Sequence, residues 1–292
     1  MNNSQFIFPL LVIIVLALKL YLNMRQSKSI KNNFNQVPNY FQSQIDLPTH
    51  QKAGTYTLAK LCLNNLDIIV GSILMIVFTV GGLIQFIDNK ITINLTTAPI
   101  SHGVVLILAI SLINMLCDIP FSLYSTFGIE QRFGFNRTTF KLYLLDNLKS
   151  LILFAVIGIP LLYLILWLMN IMGSLWWVWV WCTLSAFNLL IMLIYPTFIA
   201  PIFNKFTPLE NDELRTRINN LLHKCGFKSN GIYIMDGSKR SSHGNAYFTG
   251  IGKSKRIVFF DTLIKQLSFD EIEAILAHEL GHFKKKHIIK QF

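Results

Sequence analysis

Charged residues are scarce in this chain, which has 292 residues and only 14% charged ones. Soluble domains average about 25% charged residues. The balance here, with 52% hydrophobic residues, therefore excludes an ordinary soluble domain and favours a membrane protein. Acidic residues are scarcer than basic ones, 15 against 26, which leaves a net charge of +11. A charge of this sign suits either nucleic acid or an anionic membrane surface.

Cysteines are also few, and they are scattered. The four of them form no C-x-x-C pair, which argues against a disulfide framework and against a thiolate zinc site. A secretory signal peptide is not expected either, because no positive side chain precedes the first apolar run and no small-residue cleavage site follows it. We expect that run to be a membrane anchor.

Five apolar segments are long enough to cross a bilayer, which takes about 20 helical residues. The polar stretches that precede the second, third, fourth and fifth segments hold five, one, four and no Lys and Arg residues, respectively. The stretch after the fifth segment holds fifteen. Cytoplasmic loops carry such an excess, so we expect the N-terminus outside and the last segment in the cytoplasm. The five predicted spans are Phe6–Leu22, Ile68–Ile87, Gly103–Tyr124, Leu151–Asn170 and Leu175–Tyr195.

This layout decides between the two partners that the charge allows. The basic residues lie mostly on the cytoplasmic side, without the interleaved aromatic residues of a nucleic-acid groove. We therefore expect the lipid bilayer as a partner and no nucleic acid. Inside the third span, Asp118 is a functional candidate. Its position toward the cytoplasmic end, near Pro120, leaves a structural role equally open.

From Asn204 onward the sequence turns polar and predicts a small α+β unit. Thr207 and Glu210 form a capping box that predicts a helix start, and Gly226 predicts the end of that helix. Ser268 and Glu271 form a second capping box, which opens a later helix. Three strands are predicted between these helices, at Ile232–Met235, Ala246–Thr249 and Arg256–Phe260.

The later helix carries an H-E-x-x-H pattern at residues 278–282. Histidines at i and i+4 share one helix face, so His278 and His282 can bind one zinc ion at about 2.0–2.1 Å. Glu279 would take a proton from the zinc-bound water and pass it to the leaving amine, while Gly281 leaves space beside the metal. A chance match on a solvated helix is the alternative, which the capping box and the preceding strands disfavour.

The pattern supplies only two of the three protein ligands that a catalytic zinc site needs. His287 lies five residues after His282, about 140° round the helix, so we do not expect it to be the third. Glu271 and Glu273 share the helix with the pattern but lie at its other end.

Several longer motifs resemble those of the type 1 CAAX prenyl proteases. Besides His278–His282, they are Tyr124–Thr139, Pro201–Glu210, Ser238–Phe248 and Lys255–Leu263. The resemblance implies a mostly α-helical multi-span membrane protein, with five transmembrane helices followed by a small α+β, gluzincin-like zinc metalloprotease segment. It also implies a zinc metalloendopeptidase that cleaves the C-terminus of prenylated CAAX proteins or related membrane-associated peptides.

The resemblance also implies roles for individual residues. His278 and His282 would bind one Zn²⁺, and Glu279 would be the catalytic base. Asn245, Ala246 and Tyr247 would form an edge strand that pairs with the backbone of a peptide or lipidated-protein substrate, since exposed strand edges bind extended peptides in this way. The alternative for that segment is an ordinary strand.

In the family the third zinc ligand is a glutamate on a helix beyond two further spans, which this chain does not contain. We therefore expect a transmembrane domain over 1–203 and a cytoplasmic zinc metallopeptidase domain over 204–292 that is incomplete at its C-terminus. Such a chain, as it stands, should bind zinc weakly and have negligible activity.

Two other functions stay open on the same scaffold, a membrane quality-control protease and a catalytically inactive sensor or adaptor. Quality-control members usually have fewer spans before the motif, and a sensor would need a domain outside the membrane. The loop Pro48–Ala53 is more similar to bacterial relatives. The predicted location is thus the bacterial inner membrane, or the endoplasmic reticulum membrane in a eukaryote.

Overall fold

Long apolar helices dominate the chain up to residue 203 in the computed structural model, which describes residues 4–94, 98–227, 229–249 and 256–285. At most 11% of the most apolar stretch of each is buried, as expected of helices that face lipid. Among the described residues, five helices are long and apolar enough to cross a membrane, which confirms the predicted number: Phe6–Asn32, Leu47–Phe78, Pro99–Phe133, Phe140–Ile171 and Gly173–Phe203.

The chain divides into two compact units, Met1–Gly134 and Phe135–Phe292. The predicted domain boundary between residues 203 and 204 is a different division and stays a prediction. The described helices of the first unit are α1 (Ser4–Asn32), α2 (Leu47–Phe78), α3 (Leu83–Asn94), α4 (Pro99–Leu123) and α5 (Gln131–Phe133). A π-helical turn, Tyr124–Glu130, joins α4 to α5.

The second predicted span, Ile68–Ile87, is misplaced. Helix α2 begins at Leu47, where the carboxylate of Asp46 accepts a hydrogen bond from the backbone N–H of Thr49 at 3.2 Å. It ends at Phe78, and the chain then turns through Gly82, whose φ of +75° favours glycine. The apolar run continues across this turn, so hydropathy alone could not locate it. The loop Pro48–Ala53 is in fact the first part of α2.

Asp118 lines a cavity of about 550 Å³ in the first unit, together with Lys19 and Asp67. All three side chains are exposed, and most of the other lining residues are aliphatic. Charged groups inside membrane spans face protein or water rather than lipid. These three charges therefore face this cavity within the first unit.

The second unit begins with the helices of the last two spans. They are α6 (Phe140–Leu153), α7 (Ile159–Ile171), α8 (Trp176–Ile194) and α9 (Ala200–Phe203). π-helical turns at Phe154–Gly158 and Tyr195–Ile199 link α6 to α7 and α8 to α9.

A four-stranded sheet follows, which confirms the predicted α+β unit. Its strands are β1 (Phe206–Pro208), β2 (Ile232–Met235), β3 (Ala246–Thr249) and β4 (Arg256–Phe260), in the order β1-β2-β4-β3. β2 and β4 are parallel, and the outer strands β1 and β3 are antiparallel to their neighbours. β2, β3 and β4 lie at the predicted bounds.

The same segment contains three described helices: α10 (Asp212–Lys224), α11 (Asp261–Gln266) and α12 (Phe269–Lys284). Leu214 and Ile218 from α10, Ile257 and Phe259 from β4, and Ile272 from α12 are fully buried in one shared core. The core fixes α12 against the sheet.

The predicted helix start at Thr207 and Glu210 is wrong. Thr207 belongs to β1 and pairs with Ile234 of β2. Helix α10 starts later, where the side chain of Asn211 accepts a hydrogen bond from the Leu214 N–H at 2.9 Å. The predicted end is confirmed, because Gly226 has φ of +66° just after the helix. Pairing with β2 thus overrode a local capping signal.

Candidate active site

Helix α12 carries the H-E-x-x-H pattern, in which Leu280 faces the core and His278 is exposed. Ile272, Leu276 and Leu280 are buried at four-residue spacing, where the helix packs against α10 and β3. His278 is exposed and Glu279 is half-buried. His282 follows four residues later, about one turn along the helix, and the structure describes only its backbone.

The start of α12 is held by the predicted capping box. The backbone N–H of Ser268 donates a hydrogen bond to the Glu271 carboxylate at 2.8 Å, and the Glu271 N–H donates to the Ser268 hydroxyl at 3.4 Å. The backbone hydrogen bond from Ser268 is the main reason that the pKa of Glu271 is lowered. Glu271 is therefore engaged at the helix start, about two turns before His278.

The donor set on α12 fits part of a zinc site. Two imidazoles at i and i+4 are a known zinc pair. A methyl group at Gly281 would meet no described atom within 4 Å, and the space beside the metal stays a prediction. Within the described residues, no group of three or more His, Cys, Asp and Glu side chains could hold a metal ion. The predicted non-ligand His287 lies outside those residues.

β3 lies at one edge of the described sheet, as the proposed substrate strand must. The Phe260 N–H donates to the carbonyl of Asn245 at 2.9 Å. Because hydrogen-bonded pairs alternate in antiparallel strands, Tyr247 and Thr249 also pair with β4, and the main-chain groups of Ala246 and Phe248 point away from it. The side-chain oxygen of Asn245 accepts a hydrogen bond from the Ala246 N–H at 2.9 Å.

The predicted substrate-binding set Asn245, Ala246 and Tyr247 stays a prediction. Ala246 and Phe248 present outward main-chain groups, whereas those of Asn245 and Tyr247 are directed to β4. The sequence could not show that the main-chain groups of Phe248 point away from β4, because the register of β3 on β4 is set by tertiary pairing.

The side chain of Tyr247 lies on the sheet face opposite the core. It lines a small cavity of about 20 Å³ with Tyr195, Pro196 and Arg256 among others. Burial, and to a lesser degree the neighbouring Tyr195, raises the pKa of Tyr247 to about 12. Its phenol therefore stays protonated at physiological pH and packs toward the α8–α9 turn.

Three of the sequence motifs meet at the loop that precedes β3, residues 236–245, here called the β2–β3 loop. The Ser242 N–H donates to the carbonyl of Phe135 at 3.0 Å, and the ring of His243 stacks on the ring of Phe135 at 4.3 Å. The Thr262 hydroxyl donates to the carbonyl of His243 at 2.8 Å. Residues more than 100 positions apart are thus brought together beside the edge strand.

Ser238 fixes the start of the same loop to the end of β4. Its N–H donates to a carboxylate oxygen of Asp261 at 2.8 Å, and its hydroxyl donates to the other oxygen. Burial raises the pKa of Asp261, but the Ser238 hydrogen bonds and the nearby Lys265 outweigh burial, and the pKa is lowered. Asp261 therefore holds the loop as an ionised acceptor.

Comparison with known proteins gives matches over most of the chain. The family model described as CAAX prenyl protease N-terminal, five membrane helices, matches residues 26–205. The model described as Peptidase family M48 matches residues 208–292.

Relatives of known name match in the same way. CAAX prenyl protease 1 of Saccharomyces cerevisiae is 40% identical over 282 residues, which cover 92% of this chain and 61% of that protein. The CAAX prenyl protease 1 homolog of Dictyostelium discoideum is 35% identical over 291 residues, or 93% of this chain and 65% of that protein. The chain thus spans less than two thirds of the length of either relative.

The crystal structure of S. mikatae Ste24p superimposes on the whole of this chain and on 68% of its own length, with a TM-score of 0.90 and 36% sequence identity. This match confirms the predicted fold of five membrane helices followed by a small α+β segment.

Proposed function

The chain belongs to the CAAX prenyl protease family of M48 peptidases, and we propose that it forms the metal-binding helix and the peptide-binding strand of a zinc-dependent membrane metalloendopeptidase. The observation that carries the proposal is the contact between α12 and β3. It places the H-E-x-x-H helix beside a strand edge whose Ala246 and Phe248 main-chain groups point outward.

Each residue has a distinct part in this proposal. His278 and His282 would hold the zinc ion, which supplies a Lewis acid and lowers the pKa of bound water. Glu279 accepts a proton from the attacking water and donates it to the leaving amine. Phe248, together with the carbonyl of Ala246, would hold an extended substrate through main-chain hydrogen bonds.

We propose prenylated CAAX proteins, or related lipidated peptides, as the substrate class. Both relatives described above are CAAX prenyl proteases by name. The match of a five-helix family model favours this substrate class over a quality-control protease, for which fewer spans before the motif are expected. Both relatives come from eukaryotes, which favours the endoplasmic reticulum membrane over the bacterial inner membrane, with the metallopeptidase segment in the cytoplasm.

The test uses the protein expressed from its genomic reading frame, purified and reconstituted in lipid vesicles with zinc. A prenylated peptide that ends in a CAAX sequence is the substrate, and its products are identified by mass spectrometry. We expect release of the last three residues and a loss of roughly 10²- to 10⁴-fold in rate in Glu279→Gln, the range for removal of a general acid–base group.

Glu273→Gln is the matched control, because it makes the same change on the same helix outside the pattern. It should keep the wild-type rate. A Glu279→Gln variant that cleaves as fast as Glu273→Gln would rule out the role of Glu279 as the base.

A further inference from the structure

Arg240, in the middle of the β2–β3 loop, connects that loop to two membrane helices. Its Nε and Nη2 donate to the two carboxylate oxygens of Asp146 in α6 at 2.7 and 3.0 Å. Nη1 donates to the side-chain oxygen of Asn204 at 2.8 Å, and Nη2 donates to the carbonyl of Phe203, the last residue of α9, at 2.7 Å. One guanidinium thus binds the beginning of the fourth span and the end of the fifth.

This pair is well shielded and geometrically specific. The side chains of Arg240 and Asp146 are only 24% and 21% exposed, unlike the exposed Arg215–Asp212 pair at 54% and 83%. Bidentate pairing of arginine with a carboxylate fixes orientation as well as distance. A lysine at position 240 would keep the charge but could not reproduce the planar fork.

The main chain of Arg240 is held as firmly as its side chain. Its carbonyl accepts hydrogen bonds from the Arg137 N–H and from the Thr138 hydroxyl, each at 3.0 Å. Ala246 follows only six residues later, so the fixed loop and the pairing of β3 with β4 together hold β3 relative to α6 and α9.

We propose that Arg240 is a positioning residue that fixes β3 relative to α6 and α9, and thereby determines which peptide bond of a membrane-anchored substrate reaches α12. The proposal rests on the proposed function, in which β3 binds the substrate. The lipid of such a substrate holds one end of the peptide at a fixed position in the bilayer. Each further residue of the extended peptide lies about 3.4 Å farther from that end. A displacement of β3 relative to this fixed position would bring a different peptide bond to α12.

The test compares Arg240→Lys and Asp146→Asn with Arg215→Lys, which makes the same change in an exposed pair. Hydrogen exchange is measured first, on the amides of Arg137 and Ser242. Loss of a charged hydrogen-bond network should accelerate their exchange roughly tenfold or more in Arg240→Lys, and less in Asp146→Asn, which keeps the bonds to Phe203 and Asn204. Arg215→Lys should exchange like the wild type.

Product mapping with a lipid-anchored peptide is the second readout, using the protein expressed from its genomic reading frame. The wild type and Arg215→Lys should cut one bond, whereas Arg240→Lys and Asp146→Asn should also cut neighbouring bonds. Asp146→Asn serves alone if Arg240→Lys does not fold.

Two results would overturn the proposal. Exchange in both variants equal to that in Arg215→Lys would show that the pair does not anchor the loop, and faster exchange with cleavage at the single wild-type bond would show that the anchor does not set the cut. If no variant cleaves, the wild type included, the proposed function has failed instead, and the exchange result alone decides whether Arg240 anchors the loop.

Discussion

Single residues in this molecule hold segments that lie far apart in the sequence. Asp261 is an example with a measurable consequence, because both of its carboxylate oxygens accept hydrogen bonds from Ser238. Its pKa in the folded protein is lowered from about 3.9 in an unfolded chain. The ionised group therefore stabilises the fold above that value, and the contribution is lost as the pH falls through the folded-state pKa.

Asp261→Asn should lower the melting temperature at pH 7 by roughly 2–4 °C, the shift that about 1 kcal/mol gives in a domain of 150–250 residues. The difference from the wild type should shrink as the pH falls to about 3. Thermal unfolding in detergent at pH 7, 5 and 3 measures it. Asp212→Asn, at an exposed carboxylate, is the control and should change little. A difference that is as large at pH 3 as at pH 7 would contradict this account of Asp261.

The sequence predicted candidate residues only where chemistry and spacing coincide locally. His278, Glu279 and His282 share one helical turn, so their pattern is visible without a fold. Arg240 and Asp146 lie 94 positions apart. Nothing in the sequence around either residue indicates that the two pair. Their pairing depends on tertiary contacts that no local pattern contains.

At the level of secondary-structure elements, the direction of the main-chain groups of β3 leads to a prediction about how a substrate binds. If Ala246 and Phe248 present the outward main-chain groups, a peptide added to this edge forms main-chain hydrogen bonds at every second residue. N-methylation at successive substrate positions removes one N–H at a time. We expect KM to rise about 2- to 10-fold at alternate positions, as for the loss of single hydrogen bonds, and to change little at the positions between.

Steady-state kinetics with such a series of lipidated peptides measures this periodicity. The unmethylated peptide and one methylated upstream of the strand-binding stretch are the controls. Equal effects at consecutive positions, or none at all, would show that the substrate does not bind as an added strand.

The strands and helices of the second unit differ in how well the sequence predicts them. β2, β3 and β4 have short apolar runs flanked by turn residues, and their bounds are confirmed. Thr207 and Glu210 also satisfy a local pattern, that of a helix cap, yet Thr207 lies in β1 and pairs with β2. Local propensity is weak where a neighbouring strand supplies hydrogen bonds.

At the scale of the whole molecule, hydropathy predicted five spans because every one of them must fill a bilayer with apolar side chains. The same measure misplaced the second span, since an apolar run can continue through a turn such as the one at Gly82. The cavity lined by Lys19, Asp67 and Asp118 could not be foreseen from the sequence, because these charges come from three helices. The family motifs were visible, but their meeting at the β2–β3 loop was not.

Zinc binding by the histidines of α12 is measured by titrating the purified protein with zinc against a chromophoric chelator. We expect one bound zinc ion that depends on the histidine pair of α12. Binding should be lost in His278→Ala and in His282→Ala, and kept in His287→Ala. Undiminished zinc binding by the His278→Ala, His282→Ala double variant, or its loss in His287→Ala, would show that the zinc ion is not held by this pair.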